Sequence, residues 1–186
     1  MSGAVLRSEA LPDDWFGEGL ALVDDRLIQL TWRDGVATTW DVETFAPASR
    51  FAYEGEGWGL CFDGRGLVMS DGSDRLTFRD AETFEVLADV SVTLAGEPLG
   101  QLNELECVDG AVWANVWLSD TIVRIDPADG AVTGVLYLAG ILETEPTSRQ
   151  QPPDVLNGIA WDATAGTFLV TGKLWPELIE IRVPDA

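Results

Sequence analysis

The stretch GWGLCFDGRGLVMSDG, residues 57–72, decides how the chain folds. Leu60, Cys61 and Phe62 form one short apolar run and Leu67, Val68 and Met69 another, joined by Asp63, Gly64, Arg65 and Gly66. Two β-compatible runs around an Asp- and Gly-rich link predict a hairpin. The same pattern recurs at 17–32 (GEGLALVDDRLIQLTW), 102–117 (LNELECVDGAVWANVW) and 156–173 (LNGIAWDATAGTFLVTGK). The anchor residues Leu20, Leu60, Leu105 and Ile159 lie 40, 45 and 54 residues apart. A third run follows each hairpin, at 36–45, 75–84, 121–130 and 178–183, and the first three units add a fourth, at 48–53, 85–92 and 131–138. Four short strands in a unit of about 40–50 residues is the pattern of β-propeller blades.

The expected fold is therefore all-β. A single propeller domain over 1–186 carries blade repeats at about 16–53, 57–95, 102–140 and 156–183. Residues 140–154 read as a polar insertion with three prolines. The fourth unit stops at Val183 after three runs. GAVLRSEAL (3–11) resembles GAVTGVLYL (130–138), so 3–10 is expected to be an outer strand. It either closes the ring on the last unit or stands as the orphan outer strand of a blade whose other strands are absent.

Composition narrows the chemistry. An apolar content of 46% supports one core, and a net charge of −21 opposes binding to nucleic acid or to anionic membrane surfaces. No run approaches the ~18 apolar residues of a membrane-spanning helix, and the apolar run in MSGAVLRSEALP is too short for a signal peptide. Histidine is absent, which excludes Ser-His-Asp and Cys-His nucleophiles and histidine-ligated zinc. Cys61 and Cys107 sit in apolar runs without CxxC spacing and read as buried thiols. Lys173 is the only lysine, in a chain whose other basic residues are all arginine.

Neighbouring strands of a blade are antiparallel, so the start of the first and the end of the second share one face. The residues two before each anchor are Glu18, Trp58, Asn103 and Asn157; those ending each second run are Trp32, Gly72, Trp117 and Lys173. Within the pairs the separations are 14, 14, 14 and 16, consistent with a two-residue insertion in the last hairpin. These eight positions are expected to ring one mouth of the central channel as a small-ligand pocket. Only Glu18 and Lys173 among them are ionisable. Burial against Trp32, Trp58 and Trp117 would raise the Glu18 pKa and suit it to proton transfer near neutrality. Lys173 and Asn103 could donate hydrogen bonds to a developing oxyanion. With no strong nucleophile in the ring, the substrate is expected to supply its own.

Together, FGEGLAL (16–22), LTW (30–32), GWGL (57–60), MSDGS (69–73), LNELE (102–106), ANVW (114–117), IDP (125–127), LNGIA (156–160) and GKLWP (172–176) resemble the plant and bacterial glutaminyl-peptide cyclotransferase family, also called glutamine cyclotransferase. The resemblance runs from about Gly3 to Val183. It implies a five-bladed propeller that cyclises the N-terminal glutamine of peptides or proteins to pyroglutamate with loss of ammonia, needing no cofactor and no catalytic metal. It gives Glu18 the acid/base role, and Lys173 and Asn103 the holding of substrate and its developing charge. Phe16, Trp32, Trp58 and Trp117 become aromatic walls, and Asn157 and Trp175 further substrate contacts. One departure stands out: a first-blade motif of the type FTQGL has no match here. The expectation is four blades of a five-bladed propeller, from a start placed too late or from a naturally short relative. The compartment stays open: cytoplasmic as written, secreted or periplasmic if a segment precedes Met1.

Two other readings remain at this level. A propeller short of a blade could bind peptides without turnover. Alternatively, Glu18, Asn103 and Asn157 could ligate calcium or manganese, as in metal-dependent lactonase-type propellers. Lys173, Trp58 at the fourth inner position and the lack of a second carboxylate in the ring weigh against the metal.

Overall fold

The computed structural model describes residues 4–142 and 152–183. Strands β1 (Gly17–Val23), β2 (Arg26–Thr31), β3 (Val36–Asp41) and β4 (Pro47–Ala52) form one antiparallel sheet in chain order. The second sheet is β5 (Leu60–Phe62), β6 (Leu67–Ser70), β7 (Arg75–Arg79) and β8 (Val86–Ser91). A small ribbon, β9 (Thr93–Leu94) with β10 (Glu97–Pro98), leads to the third sheet. That sheet is β11 (Leu102–Val108), β12 (Ala111–Val116), β13 (Thr121–Ile125) and β14 (Val132–Tyr137). The last is β15 (Leu156–Asp162), β16 (Thr167–Gly172) and β17 (Ile179–Ile181). There is no helix among the described residues, and the sheets are the four blades of a β-propeller. The inner strands are neighbours in the order β1, β5, β11, β15.

The tight links do what their residues allow. Asp24 (φ 52°) joins β1 to β2, and Asp109 (φ 49°) with Gly110 (φ 76°) joins β11 to β12, all in the left-handed region that a two-residue hairpin link requires. The β15–β16 link is longer, with Asp162 pairing Thr167, which accounts for the extra two residues before Lys173.

Burial follows position within the blade. All four residues of β6 and the first five of β12 are buried, because a middle strand is covered on both faces by adjacent blades. The outermost strands β4 and β8 are mostly exposed. Three apolar layers result. Ile28, Leu30, Leu60 and Leu67 fill the first, Val68, Leu76, Leu105, Val112 and Ile125 the second, and Trp113, Ile122, Leu156, Phe168 and Val170 the third.

Two expectations need correction. The outer strand expected over 3–10 does not form: residues 4–10 carry no strand, Gly3 lies outside the described residues, and the last sheet keeps three strands. Its apolar residues Val5 and Leu6 stay 82% and 97% exposed, so little apolar contact holds the segment against a sheet edge. Arg7 instead places its guanidinium 5.0 Å from the Phe45 ring centroid, against the first blade. Second, Cys61 and Cys107 are not free thiols but a disulfide joining β5 to β11. They lie 46 residues apart, yet the two inner strands are neighbours and their Cα atoms are 5.5 Å apart, within disulfide reach.

Candidate functional site

Three inner hairpins break register at the same place: between Gly17 and Leu20, between Leu102 and Leu105, and between Leu156 and Ile159. A bulge re-aims side chains and commonly sits beside a site. The residues caught in these bulges include Glu18, Asn103 and Asn157. The opposite strand ends are fixed by one bond repeated three times. The N–H of Trp32 donates to Phe16 O (2.8 Å), that of Trp117 to Gln101 O (2.8 Å) and that of Lys173 to Val155 O (2.9 Å). Lys173 is thus the fourth blade's counterpart of two tryptophans.

Adjacent blades are also stitched to one another at this level. Gly19 N–H donates to Trp58 O (2.9 Å), Ser70 Oγ to Asn103 O (2.7 Å) and Gly158 N–H to Asn115 Oδ1 (3.1 Å). The approach is close enough to require glycine: a Cβ on Gly19 would stand 2.6 Å from Leu60 N, and one on Gly59 would collide with the Asn103 carbonyl.

A cavity of about 150 Å³ results, lined by Phe16, Glu18, Trp32, Trp58, Asn103, Trp117 and Lys173. Its walls touch in a circuit. Phe16 meets Trp32 edge-on at 6.0 Å and Trp58 meets Trp117 edge-on at 6.3 Å between centroids. Lys173 Nζ lies 4.6 Å from the Trp117 centroid and 5.9 Å from that of Phe16, so the fourth blade reaches the first across the mouth. Trp32 and Trp58 are joined by a residue that sequence reasoning missed. Glu56 Oε2 accepts the indole N–H of both, at 2.7 and 2.9 Å, while Oε1 takes Arg33 Nε–H at 3.0 Å. Arg33 in turn lays its guanidinium 3.6 Å from the Trp32 ring centroid.

Burial raises the Glu18 carboxyl above the usual range, and the positive charge of Lys173 partly opposes it. Asn103 lines the cavity and is 5% exposed, and its Oδ1 is buried without a hydrogen-bond partner. Three sequence-selected residues are not brought in, the first being Gly72, which lies against the Trp58 ring. Asn157 does not line the cavity; its Oδ1 accepts the Glu104 N–H at 3.4 Å and ties the third blade to the fourth. Trp175 packs into the third apolar layer and donates its indole N–H to Asp154 O at 2.7 Å. The alternative metal site thereby loses its third ligand, and no group of three or more Cys, Asp or Glu suited to a metal occurs among the described residues.

Below the mouth, β11 turns two more carboxylates inward. Burial, with repulsion from Glu18 and then Glu106, pushes Glu104 up to about 8. Burial pushes Glu106 up to about 7, opposed by the hydrogen bond it accepts from Trp161 N–H. Alternating burial in LNELE does not distinguish a channel-facing acid from a surface one, so neither was foreseen. The consequence is measurable. Between the unfolded carboxylate range and pH 7, an unfolded chain releases the Glu106 proton while the folded chain keeps it, so stability falls as pH rises through that window. Glu106→Gln keeps an acceptor for Trp161 and removes the charge. It is expected to add about 1–3 kcal/mol at pH 8 and little at pH 4. Urea denaturation at both pH values checks this, and an equal change at the two would remove the titration as its cause.

A channel mouth that gathers one acid, one lysine and one amide inside aromatic walls has the form of a small-ligand pocket. The comparisons make the assignment specific. The family model described as glutamine cyclotransferase matches residues 1–183. A glutaminyl-peptide cyclotransferase of Arabidopsis thaliana is 39% identical over 186 residues, which is 100% of this chain and 58% of that protein. The crystal structure of Myxococcus xanthus glutaminyl cyclase superposes with a TM-score of 0.82 at 41% identity, covering 91% of this chain and 73% of that one. The computationally designed Ika4 protein, at 13% identity and a TM-score of 0.51, shares the fold alone. The chain belongs to the glutamine cyclotransferase family. It spans a little over half the length of the Arabidopsis protein.

Proposed function

We propose that this chain carries the reacting site of a glutaminyl-peptide cyclotransferase, which closes an N-terminal glutamine of a peptide or protein into pyroglutamate and releases ammonia. The α-amine attacks the carbonyl carbon of its own side-chain carboxamide; a C–N bond forms to the amine and the bond to the amide nitrogen breaks. Glu18 accepts the proton that the amine gives up and returns it to the departing nitrogen, so the groups balance without an external nucleophile. A carboxylate with a raised pKa suits both halves of that exchange. Lys173, and the Asn103 amide, stand where they can meet the carboxamide oxygen as charge develops on it. The aromatic walls hold the reacting chain folded on itself and exclude the water that would otherwise hydrolyse the amide.

The observation that carries this reading is the placement of Glu18 and Lys173, from the first and last blades, on one aromatic cavity with Asn103. The names of the relatives, which share about two fifths of its residues, support it. The test is ammonia release from a Gln-initiated dipeptide with and without chelator. Release that survives chelation is the expected result. Loss on chelation would restore the metal reading, and binding without release would leave a peptide-binding propeller.

Lys173→Arg probes the pocket further. The ammonium stands between the faces of Trp117 and Phe16, a fit for a compact point charge rather than a planar fork. The variant is expected to lose at least about tenfold in kcat/KM while its stability changes by no more than about 0.5 kcal/mol. Equal activity would return Lys173 to an ordinary surface role.

A further inference from the structure

Glu56 lies outside the cavity lining, yet its carboxylate holds the indoles of both Trp32 and Trp58. A single oxygen, Oε2, receives the N–H of Trp32 from the end of β2 and that of Trp58 from the start of the second blade. Its backbone is held for the purpose. Gly55 precedes it at φ 83°, and Gly57, which follows, donates its N–H to Trp32 O at 2.9 Å and has no room for a Cβ beside the Tyr53 hydroxyl. Trp58 is fixed in turn by its backbone N–H, which donates to Ser70 O at 3.1 Å, and its ring lies where a Cβ on Gly72 would stand 2.6 Å away. Arg33 completes the grip, holding Glu56 Oε1 with Nε while its guanidinium stacks on Trp32. Charge-assisted hydrogen bonds of this kind are stronger than neutral ones. The carboxyl of Glu56 is kept below the ordinary glutamate range, first by the Trp58 indole and then by Trp32 and Arg33.

We propose that Glu56 is a positioning residue of the site, a clamp that locks Trp32 and Trp58 as one wall and so sets how tightly the glutamine-bearing end of a peptide is held. It acts through the two indoles and touches no reacting atom. Its effect therefore falls on ground-state binding, seen in KM, more than on the bond-making step, seen in kcat. The two bonds differ in origin: the Trp32 indole comes from one blade and the Trp58 indole from the next, so the clamp also fixes the angle between two blades at the mouth. This proposal rests on the function proposed above, and part of its test does not.

The experiment compares the parent with Glu56→Ala and Glu56→Gln by near-ultraviolet circular dichroism and by steady-state kinetics with a Gln-initiated dipeptide. Two indoles fixed by one carboxylate give a strong aromatic signal that needs no substrate. Glu56→Ala is expected to weaken that signal, to raise KM about tenfold, and to change kcat by less than about threefold. Glu56→Gln keeps an oxygen acceptor and is expected to recover most of the signal and to bring KM back to within about threefold of the parent. An unchanged spectrum in Glu56→Ala overturns the clamp. So does a fall in kcat at constant KM, which would place Glu56 in the chemistry. A Glu56→Gln variant no better than Glu56→Ala overturns it as well. If the parent itself releases no ammonia, the cyclisation reading fails, and the spectra of the three proteins still decide the clamp.

Discussion

Glu18→Gln is expected to lower the rate of ammonia release by about 10²–10⁴-fold, the range over which a positioned acid/base group contributes. Glutamine has the same shape as glutamate, so the cavity keeps its volume and its aromatic contacts, but the amide can neither take the proton from the attacking amine nor return one to the leaving nitrogen. The fold has little stake in the exchange. Glu18 sits in the bulge of β1, where the pairing with β2 is already interrupted. Its charge is a cost of burial that Lys173 only partly offsets. Removing it therefore leaves the unfolding midpoint unchanged or slightly raised. Single-turnover ammonia release and thermal unfolding on the same preparation separate the two effects. A variant within about fivefold of the parent rate would take Glu18 out of the acid/base role. The parent's kcat/KM should also rise with pH on a limb lying above the ordinary carboxylate range, and that limb should vanish in the variant.

Losing the Cys61–Cys107 disulfide is expected to cost about 4 kcal/mol, from the chain entropy of closing a 46-residue loop in the unfolded state. The bond spans two inner strands, β5 and β11, whose blades contribute Cys61, Val68, Leu76, Leu105 and Val112 to a single apolar layer. It therefore ties the blade that brings Trp58 to the blade that brings Asn103. A Cys61→Ala, Cys107→Ala double variant keeps the space mostly filled and removes the cross-link. Its urea midpoint should fall by the amount stated, with the m-value raised as the unfolded chain expands. A thiol titration of the unfolded, unreduced parent should find no free thiol. Two titratable thiols, or a double variant as stable as the parent, would remove the cross-link.

The blade pattern was legible because hairpin links and apolar runs are local. Asp24, Asp109 and Gly110 announce their turns, and Leu20, Leu60, Leu105 and Ile159 mark the same point in each repeat. The pocket residues other than Phe16 followed from the same register. Equivalent positions in equivalent hairpins must share a face, and even the two-residue insertion before Lys173 was readable as a longer link. Asn157 occupies a matching position, yet its amide turns to Glu104 N–H in the preceding blade and leaves the cavity. Trp175 sits in a matching motif, yet its indole finds Asp154 O and an apolar layer. In both cases a hydrogen bond from another segment decides where the side chain goes, and spacing along the chain carries no information about that partner.

The sequence by itself determined the blade architecture and the register that brings Glu18, Lys173, Trp32, Trp58 and Trp117 to one mouth, because each rests on a period or a turn within one hairpin. Only the tertiary structure decided that Cys61 bonds Cys107 and that Glu104 and Glu106 lie buried in the channel. The same holds for Glu56, which joins two indoles across a blade boundary. Each of these is a contact or an environment created when separate blades meet, at distances along the chain far beyond the reach of any local pattern.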